Sequence, residues 1–161
     1  MELLNSPRLS SFLEEYDLQL NFYIHPKFRE YLANFNISAQ RVRLIPFGSE
    51  PLNQLIMECS MLVTDYSSVC WDVYYQGKPV IFYQFDVDKY NETQGAYIDL
   101  ETELFGDRAV DNEELFALLE EEAGMDFQLK EKYAEMRRSM YKYLDKNNSK
   151  RVIEEIRKRN W

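Results

Sequence analysis

Four short strand-like segments, apolar for the most part, constrain this chain more than anything else in its sequence: Leu18–Ile24, Val42–Ile45, Met61–Thr64 and Val80–Tyr83. Each has the length and the aliphatic or aromatic content of a buried strand. The intervals between them are too long for hairpins and long enough for a helix with its loops. Parallel neighbours need such crossovers, so the spacing predicts βαβ units and a parallel sheet. The intervals read accordingly. Leu9–Tyr16 is an amphipathic helix ahead of the first strand, which stops at His25-Pro26. Lys27–Asn34 reads as a short helix, and Pro51–Glu58 opens on a proline, a residue favoured at the first helical position. Ser67–Gln76 reads as a helix closed by Gly77, where a left-handed residue is readily placed.

After Phe85 the pattern changes. Asp86–Leu104 is polar, aromatic and turn-rich, and reads as a functional loop with one helical turn. Asp111 with Glu114 gives a capping-box-like start to a helix reaching about Glu122. Leu129, Tyr133, Met136, Met140 and Leu144 mark one face of a longer helix, and Ser149–Arg159 carries Val152, Ile153 and Ile156 on a last one. These stripes are expected to pack into a core rather than line a cofactor site. The expected fold class is α/β, with a core over about residues 1–110 and a helical C-terminal tail over about 111–161. A chain of 161 residues suits a single domain, and its 45% hydrophobic content supplies a core.

Several function classes are excluded by what the chain lacks. No apolar run approaches the roughly 18 residues that span a bilayer, and Met1–Pro7 has neither the basic nor the apolar region of a signal peptide. Two cysteines, Cys59 and Cys70, with one histidine argue against a disulfide framework or a structural zinc site and point to the reducing cytoplasm. A net charge of −9 argues against nucleic-acid binding. The charge is uneven, with 16 acidic and 3 basic groups in residues 51–125 but 11 basic and 6 acidic in residues 126–161. The basic end leaves two readings open: a solvated helix surface, or a weak foothold on anionic lipid or an anionic polymer.

The segment that carries chemistry is Leu62-Val63-Thr64-Asp65-Tyr66-Ser67-Ser68-Val69-Cys70-Trp71-Asp72. A short strand runs into two serines that open a helix. Helix starts present unpaired backbone N–H groups that suit phosphate, and small hydroxyl residues add donors while allowing close approach. In an open α/β sheet this turn lies beyond the carboxyl end of a strand, where ligands sit. Ser67 and Ser68 are therefore candidate phosphate ligands, against the plainer reading of Ser67 as a helix cap. Asp72 lies one turn into the helix and misses capping-box spacing, so its carboxylate suits a ribose diol. His25 ends another strand and on fold geometry points to the same crevice, where, against the plainer reading of a structural histidine, an imidazole could donate to a phosphoryl oxygen or protonate a leaving phosphate. Asp86 and Asp88 read as loop or capping residues. No carboxylate cluster has metal-ligand spacing, so no protein-held metal and no cofactor is expected.

Together these residues resemble a known family. Thr64-Asp65-Tyr66-Ser67-Ser68-Val69 with Asp72, then Gly77-Lys78-Pro79-Val80-Ile81-Phe82-Tyr83 and Asp86-Val87-Asp88-Lys89-Tyr90, look like the CDP-glycerol glycerophosphotransferases, the teichoic-acid polymerases and primases of Gram-positive bacteria. His25-Pro26 and the closing Tyr143-Leu144-Asp145-Lys146-Asn147-Asn148 fit the same family, and the resemblance runs from about Leu18 to Ile156.

The resemblance implies a GT-B transferase, in which two Rossmann-like domains face each other across a cleft. This chain would be the C-terminal, donor-binding half, a Rossmann-like parallel sheet with flanking helices. The acceptor domain, its catalytic-base histidine and one upstream strand would be missing, leaving Leu18–Ile24 with an unpaired edge and the isolated chain without turnover. The implied substrates are CDP-glycerol or a related CDP-alcohol as donor and a teichoic-acid-type acceptor reached through the missing domain. Ser67 and Ser68 would hold the donor pyrophosphate and Asp72 the ribose, with His25 at the phosphoryl group being split. The chain departs from the pattern at Gln94-Gly95, where many members have Arg-Gly. A CDP-ribitol or nucleotide-sugar transferase on the same scaffold, or a non-catalytic nucleotide-binding module, are the alternatives.

Overall fold

The computed structural model describes residues 2–25, 36–93 and 103–159. After a short 3-10 turn at Leu3–Asn5, the chain forms α1 (Pro7–Glu15), β1 (Leu20–Tyr23), β2 (Val42–Ile45), α2 (Leu52–Glu58), β3 (Leu62–Thr64) and α3 (Val69–Tyr75). It continues through β4 (Val80–Tyr83), α4 (Val87–Thr93), β5 (Asp107–Ala109), α5 (Asn112–Gly124), α6 (Glu131–Met140) and α7 (Asn148–Lys158). The four strand-like segments are β1 to β4. The expected helix at Lys27–Asn34 lies outside the described residues.

Every ladder is parallel. β1 pairs with β2, and β3-β4-β5 form a second sheet in that order. Two layers of helices sandwich these strands. On one face Leu9, Phe12 and Leu13 of α1 and Leu115, Phe116 and Leu119 of α5 pack with Val42, Ile81 and Ala109. On the other, Ile56 of α2, Val73 and Tyr74 of α3 and Tyr133 of α6 pack on Val80 and Phe82, with Phe105 between them. Burying one such aliphatic or aromatic side chain contributes about 1.5–3 kcal/mol.

The connections take opposite faces. Ile37 and Ala39, between β1 and β2, join the α1/α5 face. The helix between β3 and β4 lies on the opposite face. Val42 of β2 and Ile81 of β4 share one cluster with α1 and α5, so both ladders bury against the same helical layer. Among the described residues no ladder joins β1 to β3, and residues 2–17 hold no strand.

Local chemistry explains most element ends. The Ser6 side chain accepts from the Leu9 N–H at 3.1 Å, and Pro7 starts α1. Asp111 Oδ1 accepts from the Glu114 N–H at 2.9 Å while Glu114 Oε2 accepts from the Val110 N–H at 2.9 Å, so α5 starts where the capping pattern put it. Gly77, at φ +79°, closes α3 with its N–H on the Tyr74 carbonyl.

Three expectations need correction. The segment after Phe85 is not a loop with one turn: Val87–Thr93 is a helix, its Tyr90 N–H bonded to the Asp86 carbonyl at 3.0 Å. Helix α3 starts at Val69 rather than Ser67. The apolar stripe of the last helix is not core, since Val152, Ile153 and Ile156 are 47–59% exposed, and Met140 and Leu144 are exposed as well. Among the described residues no helix is long and apolar enough to cross a membrane.

Candidate functional site

The turn from Asp65 to Ser68 connects β3 to α3 at the carboxyl end of the strand, the side on which open α/β sheets take ligands. Ser68 is the N-cap of α3 by position, with helical backbone angles (φ −63°, ψ −11°), yet its side chain makes no capping bond. The plainer reading makes Ser67 the cap; the N-cap position falls to Ser68 instead, whose hydroxyl does no capping. Its backbone carbonyl accepts from the Trp71 N–H, and that of Ser67 from the Cys70 N–H. Asp72 is exposed in the first turn of α3. Ser67, Ser68 and Asp72 thus share one turn and the helix it opens.

His25 stands elsewhere. It follows β1 and is exposed, while the preceding Ile24 is buried and its N–H is bonded to the Ile45 carbonyl. Like the serine turn, His25 follows the carboxyl end of a strand, but that strand belongs to the other sheet, so the structure does not join it to Ser67, Ser68 and Asp72. Gln94 lies outside the described residues.

The turn is held firmly from two sides. Tyr66 donates its hydroxyl to Asp86 Oδ1 at 3.0 Å, and its ring stacks on Tyr90 with centroids 3.6 Å apart. Burial, with the Asp86 carboxylate behind it, pushes the Tyr66 phenol well above its ordinary range, so it stays a donor at neutral pH. From behind, α6 clamps α3. Tyr74 donates to the Tyr133 carbonyl at 2.5 Å, Tyr141 donates to the Trp71 carbonyl at 2.9 Å, and the Arg137 guanidinium donates to the Tyr75 carbonyl at the end of the helix. A cation at that end opposes the helix dipole. Cys70 is buried beneath the turn and its thiol is pushed up to about 11 by burial, which keeps it a packing residue.

A second group of residues lies beside the turn, in which Asp86 and Asp88, expected as loop or capping residues, join Gln84 and Arg108, which the sequence had not singled out. Gln84 continues β4 past its carboxyl end and is 1% exposed. Its Oε1 accepts from Arg108 Nε, on β5, at 2.9 Å. Gln84, Asp86, Asp88, Lys89 and Arg108 line an open cleft of about 480 Å³. The signal was present in the sequence: a polar amide placed directly after the apolar Val80–Tyr83, at the strand end where α/β ligands bind. Among the described residues no group of three or more His, Cys, Asp or Glu is placed to hold a metal ion.

Similarity to known proteins agrees with this geometry. The chain is 26% identical over 154 residues to the minor teichoic acid biosynthesis protein GgaB of Bacillus subtilis, matching 96% of this chain and 17% of that protein. It is 30% identical over 105 residues to the teichoic acid poly(ribitol-phosphate) polymerase of Bacillus spizizenii, covering 65% of this chain and 16% of that one. The solved wall teichoic acid polymerase TagF superposes with a TM-score of 0.56 at 17% identity, over 99% of this chain and 48% of that one, so the α/β fold is shared. The chain therefore spans less than half the length of each of these relatives. The profile of the CDP-glycerol:poly(glycerophosphate) glycerophosphotransferases matches residues 1–158, and the chain belongs to that family.

Proposed function

We propose that this chain is the donor-nucleotide half of a GT-B glycerophosphotransferase, which moves glycerol phosphate from CDP-glycerol to a teichoic-acid-type acceptor. The observation that carries the reading is the family match over residues 1–158. The turn supports it, with a Ser68 hydroxyl not used in capping at the strand end where an α/β fold takes ligands.

In this reading the pyrophosphate lies against Ser67, Ser68 and the first N–H groups of α3, and Asp72 accepts from the ribose hydroxyls. The acceptor hydroxyl oxygen bonds to the β-phosphorus, the bond from that phosphorus to the bridging oxygen breaks, and CMP leaves on that oxygen. His25 gives the departing phosphate a proton. The proton of the attacking hydroxyl passes to a base on an acceptor-binding half outside residues 1–161. Such a reaction depends on positioning and charge stabilisation, which hydroxyls and backbone N–H groups supply. The setting is the cytoplasmic side of the cell membrane, with residues 126–161 in weak contact with anionic lipid.

Calorimetric titration with CDP-glycerol tests the reading. Losing a hydrogen bond to a charged group costs about 1.5–3 kcal/mol, so Ser68→Ala and Asp72→Ala should each weaken binding roughly ten- to hundredfold without unfolding the chain. Unchanged affinity in both variants refutes the assignment. The similarity to a poly(ribitol-phosphate) polymerase supports a second reading, CDP-ribitol as donor, which competition between the two nucleotides decides.

A further inference from the structure

The wall of the cleft beside the serine turn holds a buried donor with no acceptor among the described residues. Gln84 is 1% exposed, and its Nε2 has no hydrogen-bond partner there. Its orientation is not arbitrary. Arg108 Nε can only donate, so the amide oxygen must face it, and the NH2 is left as the unpartnered end of a residue that lines the cleft. A buried donor without an acceptor costs about 1–3 kcal/mol, and native folds keep such groups mainly where a ligand or water completes them.

The lining identifies the chemistry. Asp86 and Asp88 bring two carboxylates to the same cleft as the Gln84 amide, with Lys89 and Arg108 on its wall. Two carboxylates disfavour a second phosphate there. A polyol suits the mixture, because each hydroxyl accepts one hydrogen bond, as from the amide, and donates another, as to a carboxylate. The cleft is also tied to the turn, since Asp86 accepts from Tyr66, the residue immediately before Ser67. A ligand whose phosphates met Ser67 and Ser68 would carry its alcohol toward Gln84.

We infer that this cleft is a polyol subsite, in which Gln84 Nε2 donates to a hydroxyl oxygen of a glycerol- or ribitol-type alcohol and the carboxylates of Asp86 and Asp88 accept from its hydroxyls. The inference rests on the proposed donor-binding reading. The alcohol belongs either to the donor nucleotide or to the end of the acceptor polymer.

Gln84→Glu is the test variant. It is close to isosteric, keeps an oxygen for Arg108 and removes the donor, and the negative charge it adds acts on CDP and CDP-glycerol alike, so the preference between them isolates the donor. Wild type and variant are titrated with CDP, CDP-glycerol and glycerol 3-phosphate, the last followed by saturation-transfer NMR. The wild type should prefer CDP-glycerol to CDP by about two- to tenfold, the worth of a neutral hydrogen bond, and Gln84→Glu should abolish that preference. Loss of glycerol 3-phosphate binding alone, with the nucleotides unaffected, supports the same subsite serving the acceptor. Asp88→Asn, an exposed substitution that cannot unfold the chain, should reduce the same preference. Identical behaviour of both variants and wild type on all three probes overturns the inference. Failure of the donor-binding reading looks different, because the wild type then binds neither CDP nor CDP-glycerol.

Discussion

Replacing Lys130 with methionine should loosen the joint that presses α6 onto β5. Lys130 Nζ lies 2.6 Å from Asp107 Oδ2, 2.8 Å from Glu121 Oε1 and 3.6 Å from Glu122 Oε1. The side chains of Asp107 and Glu122 are 12% and 2% exposed, so the cation neutralises two carboxylates that water barely reaches. Breaking a buried pair costs about 3–5 kcal/mol, because the remaining charge is left uncompensated. Asp107 keeps Lys132 at 3.1 Å and the Tyr133 hydroxyl at 2.8 Å, which places the expected loss near the lower end, about 3 kcal/mol. For a chain of this size that lowers the melting temperature by about 6–12 °C.

The pH dependence sharpens the test. Burial raises Glu122 above its ordinary 4.5, with Lys130 opposing the shift, so its protonated form adds stability that is fully present below 4.5 and lost as pH rises through the folded value. Burial would also raise Asp107, but hydrogen bonds from Lys130, Tyr133 and Lys132 outweigh it and hold the carboxyl below 3.8. The Asp107 contribution is therefore present above 3.8 and lost only as pH falls through the lower folded value. Without Lys130, Glu122 titrates higher still, so the gap between variant and wild type should narrow as pH falls from about 7 to about 5. Calorimetric melts at the two pH values measure this. A deficit below about 1 kcal/mol near pH 7, or one that widens toward pH 5, refutes the reasoning.

Other perturbations probe the scaffold and its surface. Gly106→Ala should destabilise by about 1–3 kcal/mol in chemical denaturation, since its Cβ would fall on the Val80 carbonyl oxygen and against the Phe82 ring; a neutral substitution would contradict that packing. Arg137→Ala removes the donors to the Tyr75 carbonyl and should cost about 1–2 kcal/mol, with α3 amides exchanging faster; unchanged exchange would mean α6 does not support the helix. Vesicle co-sedimentation should show weak binding to anionic lipid that is lost at high salt, since Lys and Arg near a bilayer contribute about 1 kcal/mol each. Equal binding to neutral vesicles would assign the contact to Val152, Ile153 and Ile156, and no binding would leave residues 126–161 as a solvated surface.

The C-terminal region shows where sequence reasoning fails. Val152, Ile153 and Ile156 have the spacing of a buried stripe, but periodicity describes a face and says nothing about what covers it. Strand β5 was invisible for the opposite reason. Asp107-Arg108-Ala109 has no strand-like pattern, and becomes a strand because the free edge of β4 offers it a hydrogen-bonding partner. Helix α4 was read as loop because its residues, Val87 to Thr93, are mostly polar, and what anchors it is the Tyr66–Tyr90 stack across more than twenty residues.

What the sequence determined by itself was the local part. Val80–Tyr83 is a strand because a contiguous apolar run of that length, rich in β-branched and aromatic residues, suits burial on both faces, and Val42–Ile45 because Val42 and Ile45 are buried around an outward Arg43; both match the structure to the residue. The Ser67-Ser68 turn, the Asp111 cap and the Gly77 stop were legible because each depends on neighbours a few positions away. Only the tertiary structure decided that Gln84 faces Arg108 with its amide donor unmatched, that Lys130 joins Asp107 to Glu122, and that Asp107–Ala109 adds a strand beside β4. These features arise from burial and pairing between residues distant in the chain, and local chemistry does not encode them.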